Sequence, residues 1–290
     1  MFFLLTTSKL HYILRLMEAP IVTLTTDWGQ RDFYAGRVKG KLYSLIPDVK
    51  VVDISHEQVW NDLVTLMRVI RYGCMEFPEG TIHIVDVGCD PIRNDMQAGQ
   101  EHYRPKPVLL KYRGHYFICS ELRPLQWALE SEPEVAVQLM LPRDITSYTF
   151  LAYELYCLVA QCIVEGADIR TMGNPCEGFR LMRSPSQPHD ADTLNASVTN
   201  IDSYGNAILN VTYAEFETVR AGRRFRASLD SRSDSSALRS LSTHYNDVRM
   251  GGLLLTVSTT GHLQIAVNGG SAEQLIGLRP TSHCYFTFYE

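Results

Sequence analysis

Two periods of apolar residues alternate along the first half of the chain. Residues 20–26 (PIVTLTT) form a β-branched run closed by Asp27-Trp28-Gly29, and residues 35–46 then carry apolar side chains at helical spacing until Pro47 stops them. The alternation repeats: VKVVDI at 49–54, a helical stretch over 61–72 with Leu63, Leu66, Met67 and Ile70 on one face, then TIHIVDV at 81–87. This βαβαβ order predicts a parallel sheet with helices on its faces. VLLKY and HYFIC around Arg113-Gly114 predict a hairpin, followed by a helix at 123–130, a strand at 135–140 and a helix at 149–165. The expectation for residues 17–183 is an α/β domain with a mostly parallel sheet.

Beyond residue 183 the pattern changes. SPSQPHD (184–190) holds two prolines and reads as a linker; after it come short β-rich runs punctuated by Tyr204-Gly205-Asn206, Ala221-Gly222, Gly251-Gly252 and Gly269-Gly270. Residues 191–290 are therefore expected to form a smaller, mainly β domain. Within it, residues 228–247 hold seven serines and little apolar pattern, which predicts a long exposed loop. No internal repeat is visible. At the other end, MFFLLTTSKLHYILRL is interrupted by Lys9, His11 and Arg15 and reaches no run of about 18 apolar residues, so it spans no membrane. Residues 1–16 read as an extension outside the fold, with Met17 the alternative start codon; an amphipathic membrane anchor is the other reading.

Composition narrows the function classes. With 45% apolar and 20% charged residues the chain is neither disordered nor collagen-like. Lysine plus arginine number 27 against 32 acidic residues, a net charge of −5, and no basic run is present, which argues against a nucleic-acid partner. The seven cysteines are scattered and form no C-x-x-C pair, so no zinc site or disulfide framework is expected. Thiols kept reduced point to the cytoplasm.

Carboxylates recur at the carboxyl ends of the predicted parallel strands: Asp27, Asp53 and Asp86. Ligands of open parallel sheets bind beyond that edge, so these side chains converge on a crevice. Asp27 could accept both hydroxyls of a ribose, or it could cap the following helix. Asp53, His56 and His83 read as structural, His115 as a solvated residue beside the hairpin turn, and Cys89 as an inert thiol.

The segments TDWGQRDFYAGRVKG, PDVKVVDISHEQVWNDL and FPEGTIHIVDVGCDPIR, in this order, resemble the S-adenosylmethionine hydroxide adenosyltransferases, hydrolytic relatives of fluorinating and chlorinating enzymes. The resemblance continues through VTNIDSYGNAILN, HYNDV and GHLQIAVNGGSAEQLIGL, covering roughly residues 20–290. It implies a Rossmann-like N-terminal domain, a barrel-like C-terminal domain and a homotrimer with active sites between neighbouring subunits. It further implies attack of water at the ribose C5′ of S-adenosylmethionine; with no His/Cys cluster and a leaving group that is already cationic, no cofactor or metal is expected. In the halogenating members a tyrosine stands where this chain has Asp86, which argues against a halogenase.

The resemblance assigns catalysis to Asp86 and, seven residues later, Arg93. A guanidinium keeps the carboxylate ionised and the pair can position water; an ion pair that only orders the loop is the alternative. The family's third catalytic residue is a histidine in a T-F-H-G-R-D stretch, and here the chain reads Thr149-Phe150-Leu151-Ala152-Tyr153-Glu154. Leucine cannot relay a proton. The family's P-D-N-G turn is likewise replaced by Ser120-Glu121-Leu122-Arg123.

Substrate binding falls by resemblance to Asp27, to Asp202 (methionine ammonium), Tyr204 (adenine stacking) and Asn206, and to Asn268 and Ala272, whose segment closes over adenine. Hairpin and strand-to-helix turns would also explain S-Y-G-N and N-G-G-S-A. The leading expectation is a hydrolase of S-adenosylmethionine; the rival is a catalytically impaired homologue that binds an adenosyl ligand as sensor or scaffold.

Overall fold

A computed structural model describes residues 19–59, 62–88, 106–142, 148–182, 190–229 and 237–290. The chain divides into two compact units at residues 183/184, each with its own core.

In the first unit the predicted periods become β1 (Ile21–Thr26), α1 (Tyr34–Leu45), β2 (Lys50–Ser55), α2 (Leu63–Tyr72) and β3 (Ile82–Asp86). They are followed by β4 (Val108–Tyr112), β5 (His115–Cys119), α3 (Arg123–Ala128) and β6 (Val135–Leu139). A π-helical turn (Ala152–Tyr156) then runs into α4 (Cys157–Val164), and β7 (Gly173–Pro175) closes the unit. The side chain of Asp62 accepts from the Thr65 N–H and so starts α2.

The seven strands lie in the order β2-β1-β3-β5-β4-β6-β7. The expected mostly parallel sheet is corrected here: β1 pairs in parallel with β2 and β3, and β3 with β5, but β4–β5, β4–β6 and β6–β7 are antiparallel. The reversal is local in origin. Arg113 and Gly114 both take positive φ, 47° and 77°, which turns β4 back into β5 in a two-residue hairpin.

Helices cover both faces. Val38 and Leu42 of α1 pack with Ile82, Ile84 and Tyr156 on one side. Leu66 and Ile70 of α2 pack with Val85, Phe117 and Leu125 on the other. Because α1 carries the chain from β1 to β2 and α2 carries it back past β1 to β3, the strand order reverses between β1 and β3, the position at which open α/β sheets bind ligands.

The second unit contains β8 (Thr193–Ile201), β9 (Ala207–Thr212), α5 (Tyr213–Arg220) and β10 (Arg224–Leu229). These are followed by β11 (Leu253–Val257), β12 (His262–Val267), α6 (Ala272–Ile276) and β13 (His283–Tyr289). Its sheet, β10-β13-β8-β9-β12-β11, is antiparallel throughout. Long β8 pairs with β13 through its first half and with β9 through its second, which curls the sheet into a half-barrel. Leu238 bridges to Ala227 on edge strand β10 and Leu241 to Leu255 on edge strand β11. Part of the segment expected as an exposed loop thus joins the two sheet edges, with both leucines packed against the core. Among the described residues no helix is long and apolar enough to cross a membrane.

Candidate active site

Strand pairing places Thr26 beside Asp86, so the residues that follow β1 meet the end of β3. Asp27 Oδ2 accepts from the Gly88 N–H at 2.7 Å, and Trp28 Nε1 donates to Asp86 Oδ2 at 3.2 Å. The neighbouring turn of β5 holds the same loop, as Ser120 Oγ donates to the Val87 carbonyl at 2.8 Å. Asp27 does not cap α1, whose N-cap Phe33 makes no side-chain capping bond.

Asp86 is the most perturbed acid among the described residues. Burial, reinforced by the Asp27 carboxylate and opposed by the Trp28 N–H, pushes its carboxyl up to about 7. That matches what a general base near neutral pH requires. Arg93, expected as its partner, lies outside the described residues, as does Cys89.

Trp28 was not singled out by its sequence context, which shows only an aromatic residue in a turn. Its indole is clamped between the stacked ring of His56 (5.8 Å between centroids, 17° between planes) and the edge of Phe150 (5.1 Å, 67°). His56 is 2% exposed, its Nδ1 lies 2.6 Å from Thr26 Oγ1 and its Nε2 3.1 Å from Asp53 Oδ1. Burial opposes ionisation of Asp53, but hydrogen bonds from Lys39 and His56 outweigh it and hold the carboxyl below its ordinary value. Gly29, at φ 66°, ties the turn to this group by donating its N–H to the His56 carbonyl at 2.7 Å.

Leu151, at the position of the missing histidine, is buried in the same core that Trp28 and Phe150 border. It opens the π-helical turn, a distortion frequent at functional sites. Lys41 Nζ donates to the Tyr153 carbonyl within that turn at 2.6 Å, and Arg37 stacks over the Tyr153 ring at 3.9 Å.

His83 and His115 lie elsewhere, inside the sheet. His83 Nδ1 is 2.7 Å from Thr23 Oγ1 and its Nε2 3.0 Å from His115 Nδ1. Burial, then the facing His115, depresses His83 to about 3. His115, expected to be solvated, is 3% exposed, because β5 is an interior strand between β3 and β4.

In the second unit the 202–206 and 268–272 turns come together. Asp202 Oδ1 accepts from the N–H groups of Tyr204 and Asn206, each at 2.9 Å, and this turn leaves the Tyr204 ring 79% exposed. A Cβ on Gly205 would lie 1.9 Å from Ser271 Oγ, so only glycine allows the approach, and the Glu273 N–H donates to the Gly205 carbonyl at 3.0 Å. Asn206 Nδ2 donates to Asp202 Oδ2 (2.9 Å) and to the Tyr245 hydroxyl (3.4 Å), which also accepts from Gln264 Nε2 (2.9 Å). Asn268 Nδ2 donates to the Val248 carbonyl at 2.9 Å, and the Ala272 side chain is fully buried. Asn206 thus spends both its amide N–H groups on the protein and Asn268 one of its two, and Ala272 has only its backbone to offer a ligand. No cluster of three potential metal ligands occurs among the described residues.

Residues 22–173 match the family model of the SAM hydroxide adenosyltransferase N-terminal domain, and residues 196–285 that of the C-terminal domain. An (R)-S-adenosyl-L-methionine hydrolase of Salinispora tropica is 26% identical over 271 residues, covering 91% of this chain and 97% of that protein. The protein of the same name from Methanocaldococcus jannaschii is 23% identical over 275 residues, covering 89% and 92%. Among solved structures, an uncharacterised conserved protein from Thermotoga maritima shares the fold with a TM-score of 0.74 at 19% identity, covering 92% of this chain and 99% of that one.

Proposed function

The chain belongs to the SAM hydroxide adenosyltransferase family, and from that membership we propose that it hydrolyses S-adenosylmethionine to adenosine and methionine. The water oxygen bonds to the ribose C5′ as the C5′–S bond breaks, the electron pair remaining on sulfur as the neutral thioether of methionine. The proton passes from water to Asp86 and on to solvent.

The observation that carries this reading within the site is Asp86 itself, a carboxyl raised to about 7 at the point where the strand order reverses. Arg93 is its proposed partner in positioning water and holding the carboxylate ionised. Asp27 spends Oδ2 on Gly88 and keeps Oδ1 for the ribose hydroxyls. In the second unit, Asp202 is the proposed partner of the methionine ammonium and Tyr204 offers its exposed ring to adenine. Asn206 is left its carbonyl oxygen for the purine, and the Asn268–Ala272 segment closes over the base. The leaving sulfur is already cationic, so the chemistry requires no Lewis acid.

The same reading makes the protein a cytoplasmic homotrimer of Rossmann-like and barrel-like domains, with sites between neighbouring subunits. The buried cysteines Cys74, Cys119, Cys157 and Cys284, none of them in a disulfide, accord with a reducing compartment. Light scattering of the purified protein tests the trimer.

The deciding experiment incubates the protein with each sulfonium epimer of S-adenosylmethionine and follows adenosine and methionine by chromatography. Release of both, lost in Asp86→Asn and rising with pH through about 7 as the carboxyl ionises, is the expected result. Tight binding without product would instead favour a ligand-binding homologue.

A further inference from the structure

The described contacts extend one layer behind the reacting carboxylate. We propose that Trp28, held in place by the buried His56 ring and its Asp53 partner, is the positioning residue that holds Asp86 for attack, an assignment that rests on the hydrolase reading. Four observations carry it. The Trp28 indole donates to Asp86 Oδ2 at 3.2 Å, a directional bond that an apolar ring could not make. One face of the indole is stacked on His56 and its rim meets Phe150, so the donor has little freedom to swing away. His56 is hydrogen-bonded through Nδ1 to Thr26 Oγ1, and its Nε2 faces Asp53 Oδ1 at 3.1 Å. Lys39 from α1 reaches the other oxygen of Asp53 and completes a chain Lys39–Asp53–His56–Trp28–Asp86.

This chain does for orientation what the second layer around a reactive group generally does. A carboxylate that must accept a proton from one water is most effective when its other oxygen is already bonded and its plane is set. Asp27 cannot serve, because it is a like charge and is turned toward Gly88. Leu151 cannot serve either, because its side chain has no polar atom and is packed into the core. Trp28 is the described side chain that donates to Asp86. The other titratable groups near this chain are Asp27 and Cys119 around Asp86, and Asp53 and Lys39 around His56.

The test compares the full-length protein with Trp28→Phe, which keeps a ring between His56 and Phe150 but removes the N–H, and with His56→Gln, which removes the stacked ring. Steady-state hydrolysis of S-adenosylmethionine should show kcat reduced about tenfold in Trp28→Phe with KM within twofold, and the pH midpoint of kcat moved upward by about half a unit or more. His56→Gln should reproduce the kcat loss from a residue that touches no reacting atom. The double variant should be no worse than Trp28→Phe alone, since both substitutions break one chain.

A titration of carbon-13-labelled aspartate carboxyls by nuclear magnetic resonance reads Asp86 without turnover, identified by its absence in Asp86→Asn. Its midpoint should rise in Trp28→Phe. If wild-type protein releases no adenosine, the hydrolase reading fails while this titration still tests the Trp28–Asp86 bond. Equal Asp86 midpoints in wild type and Trp28→Phe, or a kcat loss with no change in the pH profile, would overturn the proposal. If Trp28→Phe does not fold, the His56→Gln titration decides by the same criterion.

Discussion

Replacing Asp86 by asparagine should remove activity and, above acidic pH, make the protein more stable. The carboxyl is held at about 7 against an ordinary value of 3.8, so the folded state binds its proton more tightly than the unfolded chain does. The stabilising contribution is therefore complete below about pH 4 and is lost as pH rises through about 7. About 3 units at about 1.4 kcal/mol each sets the cost of the ionised form near 4 kcal/mol as an upper bound. Partial solvent access reduces it, so a gain of about 1 to 4 kcal/mol is expected for Asp86→Asn at pH 8. The asparagine oxygen can still accept from the Trp28 indole, which keeps the local packing intact. Urea unfolding of both proteins at pH 4, 6 and 8 measures the difference, and titrations shared by both, such as those of the histidines, cancel. A difference that is flat with pH, or an Asp86→Asn protein less stable than wild type at pH 8, would refute the argument that Asp86 carries a buried-charge penalty.

Further outcomes follow from the same contacts. Asp27→Ala should weaken adenosine binding by about 1 to 3 kcal/mol in calorimetry, as charge-assisted bonds to the ribose are lost; unchanged affinity in a folded variant would leave Asp27 only its bond to Gly88. Leu151→His should raise adenosine release at least about tenfold, below the full share of an acid–base residue. It should also cost about 1 to 3 kcal/mol in stability, because the site is enclosed by core side chains. His83 is depressed to about 3, so its stabilising contribution is present above about pH 6.5 and is lost as pH falls toward 3; His83→Gln should flatten that acid limb in urea titrations. Hydrolysis should persist in a chelator, and strict loss restored by zinc or magnesium would contradict the metal-free mechanism.

The path of the main chain was legible from short-range pattern alone. The period-2 and period-3.6 segments over residues 20–87 became β1, α1, β2, α2 and β3, and the Arg113-Gly114 pair became a tight hairpin. The carboxylates at the ends of the first three strands were visible for the same reason, since a strand's end is marked by the turn residues that follow it. Strand direction was less legible. A run such as VAVQL reads alike in a parallel or an antiparallel pair, and it was the hairpin and the return of β6 and β7 that made the sheet mixed.

What the sequence determined by itself was which residues turn inward, because burial of one face imposes a period that can be counted. Which side chains then meet was decided only by the tertiary structure. Trp28 reaches Asp86 because β1 and β3 are neighbours in register, although 58 residues separate the two side chains. His115 is buried because β5 lies inside the sheet, whatever its distance from a turn. Leu238 and Leu241 join two sheet edges that only a curled sheet brings within their reach. Asn206 and Asn268 keep the residue types a ligand would need, yet folding commits both N–H groups of Asn206 to Asp202 and Tyr245 and one of those of Asn268 to Val248. The physical reason is one of range: periodicity records contact with an apolar interior without naming the partner, whereas a hydrogen bond of about 3 Å depends on strand order, register and rotamer at both of its ends.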